Sequence, residues 1–287
     1  MKIIKHSTEI EIAGVSDFDP VKIFECGQCF RWNKDENGTH KDTAYIGVAF
    51  GHVVRVRFCN DSVFISASVE DFETIWRSYF DLDRDYAKIR QQLCIDDYML
   101  HATTFGAGIR LLRQDKWEAL CSFIISQNNN IPRIKVIIET LCREFGDVII
   151  FNDKKYYTFP SAEKVAMLDV ESLDPLRCGY RAKYIIGAAK AVDNGSLRLE
   201  ALSQGSLNTA RTALKELKGV GDKVADCVML FGLHMLDAFP VDVWIKRAIK
   251  DHYNSSFDPC LFSPYAGIAQ QYIFYYIRNN TFHKAIE

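Results

Sequence analysis

The sequence contains no uninterrupted apolar run approaching the roughly 18 residues that cross a bilayer, so no membrane-spanning helix is expected in its 287 residues. Its first residues, MKIIKHSTEIEI, carry neither a long apolar h-region with a small-residue cleavage site nor the Arg- and Ser-rich helix of a transit peptide. The expectation is a cytoplasmic protein. Surplus positive charge is also missing: the formal net charge is −2, which argues against a globally basic nucleic-acid binder but not against a local basic face. Long linkers, low-complexity segments and internal repeats are absent.

Cysteine is plentiful at nine residues, yet a cysteine framework is missing. Cys26 and Cys29, in the stretch ECGQCF, form the only Cys-x-x-Cys pair. No second pair or suitably spaced histidine supplies the four ligands of a structural zinc site, and no run of cysteines suits an iron–sulfur cluster. The odd count and the absence of an export signal point to free thiols in a reducing compartment. The pair therefore reads as two small buried residues around a turn.

What is present is an ordinary globular composition, 48% hydrophobic and 25% charged, in a chain long enough for two packed lobes. Residues 8 to 68 read as strands: Thr8 to Ile12, His52 to Phe58 and Ser62 to Ser68 alternate, with turn signals at Gly51 and Asn60-Asp61. From Asp71 the periodicity becomes helical and is expected to stay so. The expected helices are 71–79, 84–93, 116–127, 131–145, 161–168, 181–193, 209–218, 223–233, 243–252 and 263–278. This order predicts an α+β fold, with an antiparallel sheet lobe over 1–107 and an all-helical lobe over 108–287. The boundary falls near Gly106-Ala107-Gly108.

The most specific local feature is LKELKGVGDKVADC, Leu214 to Cys227. A helix with Ala210, Ala213, Leu214 and Leu217 in phase stops at Gly219, and another with Val224, Val228 and Phe231 in phase starts after Gly221. Glycines around one apolar residue let the backbone turn tightly and approach another surface, while free N–H groups at the second helix start suit an anion such as phosphate. Alone this could be a plain helical hairpin, and Lys223 a solvated surface lysine. However, Asp242 follows in FPVDVW, nineteen residues after Lys223. Hairpin, lysine, proline and aspartate in that order resemble the helix-hairpin-helix (HhH-GPD) superfamily of base-excision DNA glycosylases, with the hairpin at 209–233.

Further stretches, SQNNNIPRI from Ser126, RLLRQD from Arg110, GYRAKY from Gly179 and GQCFRW from Gly27, make nearly the whole chain similar to the 8-oxoguanine DNA glycosylase/AP lyase branch. The resemblance implies a catalytic pair, Lys223 and Asp242. A lysine attacks the anomeric carbon only as the neutral amine, and a free lysine, with a pKa near 10.4, has about one neutral molecule in 10^3 near neutral pH. A helix start disfavours the cation, and burial acts in the same direction. The amine would displace the base and form a Schiff base with the opened sugar, allowing strand cleavage by elimination. Asp242 would offset the positive charge on the sugar, and can equally cap the helix beginning at Val243.

The same resemblance assigns lesion-base contacts to Gly27, whose carbonyl would accept from the N7–H that 8-oxoguanine has and guanine lacks, and to Cys227, Gln270, Phe274 and Phe231. Gln270 and Phe274 share a helix face four residues apart; core packing is the competing reading for Phe274, and an inert buried thiol for Cys227. Asn128, Arg133 and Arg181 are implied as readers of the opposite cytosine, Tyr180 as the wedge filling the vacated stack, and Gly219, Val220, Gly221 and Trp244 as phosphate contacts. Arg110, Arg113, Lys183 and Lys218 are expected to add phosphate contacts beside Arg133 and Arg181. The sequence departs from the family where Trp244 stands for a histidine, Phe231 for a methionine, and Pro132 for a small residue.

The expected activity is excision of 8-oxoguanine from double-stranded DNA, preferably opposite cytosine, with β-elimination at the resulting abasic site. No cofactor is expected; a cation at the Gly219 and Gly221 carbonyls would be structural. The protein is expected to act as a nucleoid-associated monomer without membrane contact. The competing readings are an HhH glycosylase for another oxidised or alkylated base, and a non-catalytic HhH DNA-binding module. The second would need neither Lys223 nor Asp242.

Overall fold

Apolar residues that alternate with polar ones bury one face of a sheet, and here they build six antiparallel strands. These are β1 (Lys2–Lys5), β2 (Ile10–Ala13), β3 (Trp32–Lys34), β4 (Thr43–Ala49), β5 (His52–Cys59) and β6 (Ser62–Ile65), in the order β1-β2-β6-β5-β4-β3. The computed structural model describes residues 2–6, 8–15, 17–36, 43–59, 61–253 and 257–283. Register pairs Ile65 with both Ile10 and Val56, so Ile10, Ile12, Val54, Val56, Val63 and Ile65 form one wholly buried face. Phe24, Trp32, Phe72, Trp76 and Tyr79 join the same cluster. Phe24 stacks on Trp32 at 3.9 Å, and the Trp32 indole donates to the Tyr79 hydroxyl at 2.8 Å.

The strand region is not purely strands, because α1 (Pro20–Glu25) interrupts it. Asp19 accepts from the Val21 and Lys22 amides, and Pro20 supplies the helical φ in the first turn. Strand β6 ends before Ser68, whose hydroxyl instead accepts from the Asp71 amide to start α2 (Val69–Asp71). A π turn, Phe72–Trp76, then leads into α3 (Arg77–Tyr79). Of the expected Asn60-Asp61 turn, Asn60 lies outside the described residues, and Asp61 has a φ of 58°.

Among the described residues, eleven further α-helices contribute to the second hydrophobic cluster: α4 (Tyr86–Leu93), α5 (Asp97–Phe105), α6 (Lys116–Ser126), α7 (Ile131–Phe145), α8 (Ala162–Ala166), α9 (Arg181–Asp193), α10 (Leu199–Ser203), α11 (Leu207–Lys215), α12 (Asp222–Phe231), α13 (Val243–Tyr253) and α14 (Ala266–His283). The periodicity did not indicate α5 or α10; Asp96 caps α5 through the Met99 amide at 2.7 Å. The expectation of helix throughout also fails at β7 (Val148–Phe151) and β8 (Lys154–Tyr157). Their β-branched and aromatic residues flank Asn152-Asp153, both at positive φ, which is the chemistry of a two-residue hairpin turn. Among the described residues no helix is long and apolar enough to cross a membrane.

The segment 109–115 joins the lobes through polar groups buried on both sides. Arg110, 4% exposed, donates to the carbonyls of Asp17 (2.7 Å) and Asp81 (2.8 Å). Arg113 pairs with the Asp81 carboxylate at 3.1 Å, and the Leu112 amide donates to Gln28 Oε1 at 2.9 Å. The expectation that Arg110 contacts phosphate is therefore corrected: its charge is committed inside the protein, where backbone carbonyls satisfy it; Arg113 pairs with Asp81 but stays exposed.

Candidate active site

The loop after α1 turns through Gly27 at a φ of 82°, a conformation that side-chain-bearing residues resist. A Cβ there would meet Ile131 Cδ1 at 3.6 Å and Phe274 Cε1 at 3.7 Å, ordinary contact distances. The glycine is therefore required by its backbone angle more than by crowding. Gln28, wholly buried, fixes the loop by donating to the carbonyls of Ile23 (2.9 Å) and Arg110 (2.8 Å). Gln114 donates to the Gln28 carbonyl at 2.7 Å, and Gln271 to that of Cys26 at 2.8 Å. Cys26 and Cys29 are free and buried. Burial pushes the Cys26 thiol up to about 11 and the Cys29 thiol well above its usual value, so both stay protonated and unreactive.

Lys223 is the second residue of α12, and Cys227 lies one turn beyond it. Burial pushes the Cys227 thiol up to about 11, against the opposing pull of nearby Lys223. Lys223 Nζ sits 5.7 Å from the centre of the Phe123 ring, which in turn stacks on Phe231 at 5.3 Å. Asp242 Oδ1 accepts from the amides of Trp244 and Ile245, both at 2.9 Å. This ties the carboxylate to the first turn of α13 and holds it in one orientation. Gln270, 4% exposed, has a buried Oε1 without a hydrogen-bond partner among the described residues.

One cavity gathers these groups. Lys223, Asp242, Gly27, Cys227, Phe231, Gln270 and Phe274 line it, with Cys26, Phe123, Pro240 and Gln271. Its volume of about 60 Å³ suits a few water molecules, not a purine. Phe123 and Gln271 were not singled out in the sequence. Phe123 is one apolar residue in a helix buried along nearly its whole length, so periodicity could not distinguish it.

Asn128, Arg133, Tyr180 and Arg181 meet elsewhere, where the 127–133 turn abuts the start of α9. Tyr180 is 45% exposed, and Asn128 Nδ2 reaches its hydroxyl at 3.4 Å. Asn128 itself has a φ of 48°. Arg181 is buried, with Nε donating to the Gln127 carbonyl (2.9 Å), Nη1 to that of Cys178 (3.2 Å) and Nη2 to those of Gln127 and Asn128. Its Nε and Nη2 donors thus go to the turn that presents Asn128. Arg133 is exposed and donates to the Arg177 carbonyl at 3.2 Å. Pro132 occupies the first turn of α7, where its ring costs no hydrogen bond.

The hairpin forms as expected between α11 and α12. Arg211 and Asp226 clasp the two helices at 2.8 Å. Gly219 has a φ of 89°, and a Cβ there would lie 2.3 Å from the Tyr184 ring; Gly221, at the start of α12, has open space. Val220 is buried between them. Lys218 and Lys183 are exposed. Trp244 is half-buried and packs against the helical core. Among the described residues, no group of three or more His, Cys, Asp or Glu could hold a metal ion.

Residues 12–120 match the family described as 8-oxoguanine DNA glycosylase, N-terminal domain, and residues 121–259 match the HhH-GPD superfamily base excision DNA repair protein family. The chain is 34% identical to an N-glycosylase/DNA lyase of Saccharomyces cerevisiae over 255 residues, 82% of this chain and 68% of that protein. It is 38% identical to the Clostridium acetobutylicum 8-oxoguanine glycosylase/lyase solved with double-stranded DNA containing cytosine opposite 8-oxoguanine, with a TM-score of 0.91 over 98% of this chain and 99% of that one. The structure of MBOgg1 with a low-affinity DNA ligand gives 43% identity, the same TM-score and the same coverage. With the pocket, the hairpin and both matched regions in place, the chain belongs to the 8-oxoguanine DNA glycosylase/AP lyase family of the HhH-GPD superfamily of base excision DNA repair proteins.

Proposed function

We propose that this chain flips 8-oxoguanine out of duplex DNA, preferably where it lies opposite cytosine, excises it through a Schiff base on Lys223, and nicks the abasic strand by β-elimination. The observation that carries the reading is the convergence of Lys223, Asp242, Gly27, Cys227, Gln270 and Phe274, drawn from distant parts of the sequence, on one cavity. The Lys223 amine attacks the anomeric carbon and sheds a proton, the base departs with the glycosidic electron pair and takes up a proton, and Asp242 offsets the charge that develops on the sugar. Ring opening gives the lysine imine. Loss of the neighbouring proton then expels the 3′ phosphate.

The flipped base lies between the Cys227 sulfur and the Phe274 ring. Its N7–H donates to the Gly27 carbonyl, and the unpartnered Gln270 Oε1 accepts from its edge. Because the cavity is too small for a purine, entry requires Phe274, half-buried against Gly27, to rotate away. Flipping costs a few kcal/mol of unstacking, which these contacts and the Tyr180 wedge offset. Asn128, Arg133 and Arg181 meet the orphaned cytosine, and Arg181 also holds the turn beneath Asn128. The hairpin amides from Gly219 to Gly221 and the Trp244 region meet the phosphates. A single chain carries pocket, wedge and hairpin, so a monomer suffices.

Borohydride reduces an imine to a stable amine, so the native protein should become covalently trapped on a duplex containing 8-oxoguanine opposite cytosine. Lys223→Gln should abolish trapping. Failure of the native protein to trap would remove the lyase assignment, and equal excision opposite all four bases would remove the cytosine preference.

A further inference from the structure

We infer that Arg177 is a further DNA contact, gripping a backbone phosphate of the strand opposite the lesion, beside the orphaned base. This rests on the proposed reading that Asn128 and Tyr180 meet that base. Arg177 closes the 3-10 turn Glu171–Leu176 at a φ of 49° and a ψ of 36°, the left-handed region that L residues other than Asn and Asp rarely hold. Glycine or asparagine would make the turn more readily. The turn itself therefore gives no reason for an arginine at this position.

That side chain is exposed. Neither Arg177 nor Arg133 makes an ion pair among the described residues, although Asp169, Glu171 and Asp174 are near in the chain. The Arg133 guanidinium donates to the Arg177 carbonyl at 3.2 Å, which draws two arginines onto one edge. An anion arriving from outside would meet positive charge on this edge without displacing a carboxylate. The edge runs through Gly179, at a φ of 60°, into the exposed ring of Tyr180. Asn128 and Tyr180 already occupy the base-facing positions of this cluster. Arg177, three residues before the wedge, is left with the backbone, where contacts fix register without reading sequence.

The test measures binding of the full chain to a duplex carrying a tetrahydrofuran abasic analogue opposite cytosine, at salt concentrations from about 50 to about 200 mM. Asparagine tolerates the left-handed turn, so Arg177→Asn should keep or raise the melting temperature. Its affinity should fall about tenfold, and the slope of log K against log salt should shrink by about 0.9. Arg177→Lys should keep most of that slope. Unchanged affinity and slope in Arg177→Asn would overturn the inference. So would a loss found opposite cytosine but not opposite adenine, which would make Arg177 a base reader. Excision of 8-oxoguanine by the native protein is scored separately: tight analogue binding without excision would count against the proposed function and leave the Arg177 measurement valid.

Discussion

At the scale of single residues, the Cys-x-x-Cys spacing owes its importance to the glycine inside it. Gly27 holds a positive φ, and both flanking thiols are buried, free and kept protonated. Gly27→Ala should cost about 1–2 kcal/mol through backbone strain and place a methyl against Phe274, lowering 8-oxoguanine excision far more than binding to an abasic analogue. Replacing Cys26 and Cys29 together with serine should cost stability on the order of 1–3 kcal/mol by burying hydroxyls, with lesion discrimination retained. Comparing melting temperatures with excision of 8-oxoguanine against guanine separates the two. The reverse pattern, discrimination lost in the serine variant and kept in the alanine variant, would assign recognition to the thiols.

At the scale of elements, the two hairpin glycines have different reasons to be glycine. Gly219→Ala must drive a methyl into the Tyr184 ring at 2.3 Å and adopt an unfavourable φ, so unfolding by urea should show a loss of about 3 kcal/mol or more. Gly221→Ala meets open space at an extended φ of −98°. It should fold with a loss of about 1 kcal/mol or less and instead weaken DNA binding, because the methyl stands where a phosphate must approach. The hairpin was legible in the sequence because its apolar positions stay in phase on both sides of the glycines. The Arg110–Gln114 segment was not: whether an arginine faces solvent or a buried carbonyl depends on which lobe folds over it. The β7–β8 hairpin is hidden in the sequence although Asn152-Asp153 signals its turn, because one isolated two-stranded unit does not outweigh the helical periodicity around it. Convergence of the pocket residues could be expected only from resemblance, since nothing in local spacing relates residue 27 to residue 270.

At the scale of the whole molecule, the lobes are joined by charge as well as by segment 109–115. Arg31, beside the Gly27 loop, donates to the Tyr157 carbonyl in β8 and lies 3.7 Å from Glu118 on α6. Burial raises the Glu118 carboxyl from an ordinary 4.5 to about 7, against the pull of Arg31. The native state therefore binds this proton more tightly than the unfolded chain. The associated stability is full below about pH 4.5 and is lost as pH rises through about 7, at most about 3 kcal/mol. Glu118→Gln should flatten the decline in melting temperature across that window; an unchanged profile would place its origin in other groups. Scale also sets what the Tyr184 ring does. It packs beneath Gly219 on one side and edge-on against Tyr180 at 5.7 Å on the other, so one aromatic group is the spacer between the hairpin and Tyr180, the proposed phosphate contact and the proposed wedge. On the proposed reading, a duplex that meets both the hairpin and Tyr180 must fit that span. The strain of fitting falls on the DNA, and sequences that kink easily around the lesion should be bound at lower cost than stiff ones.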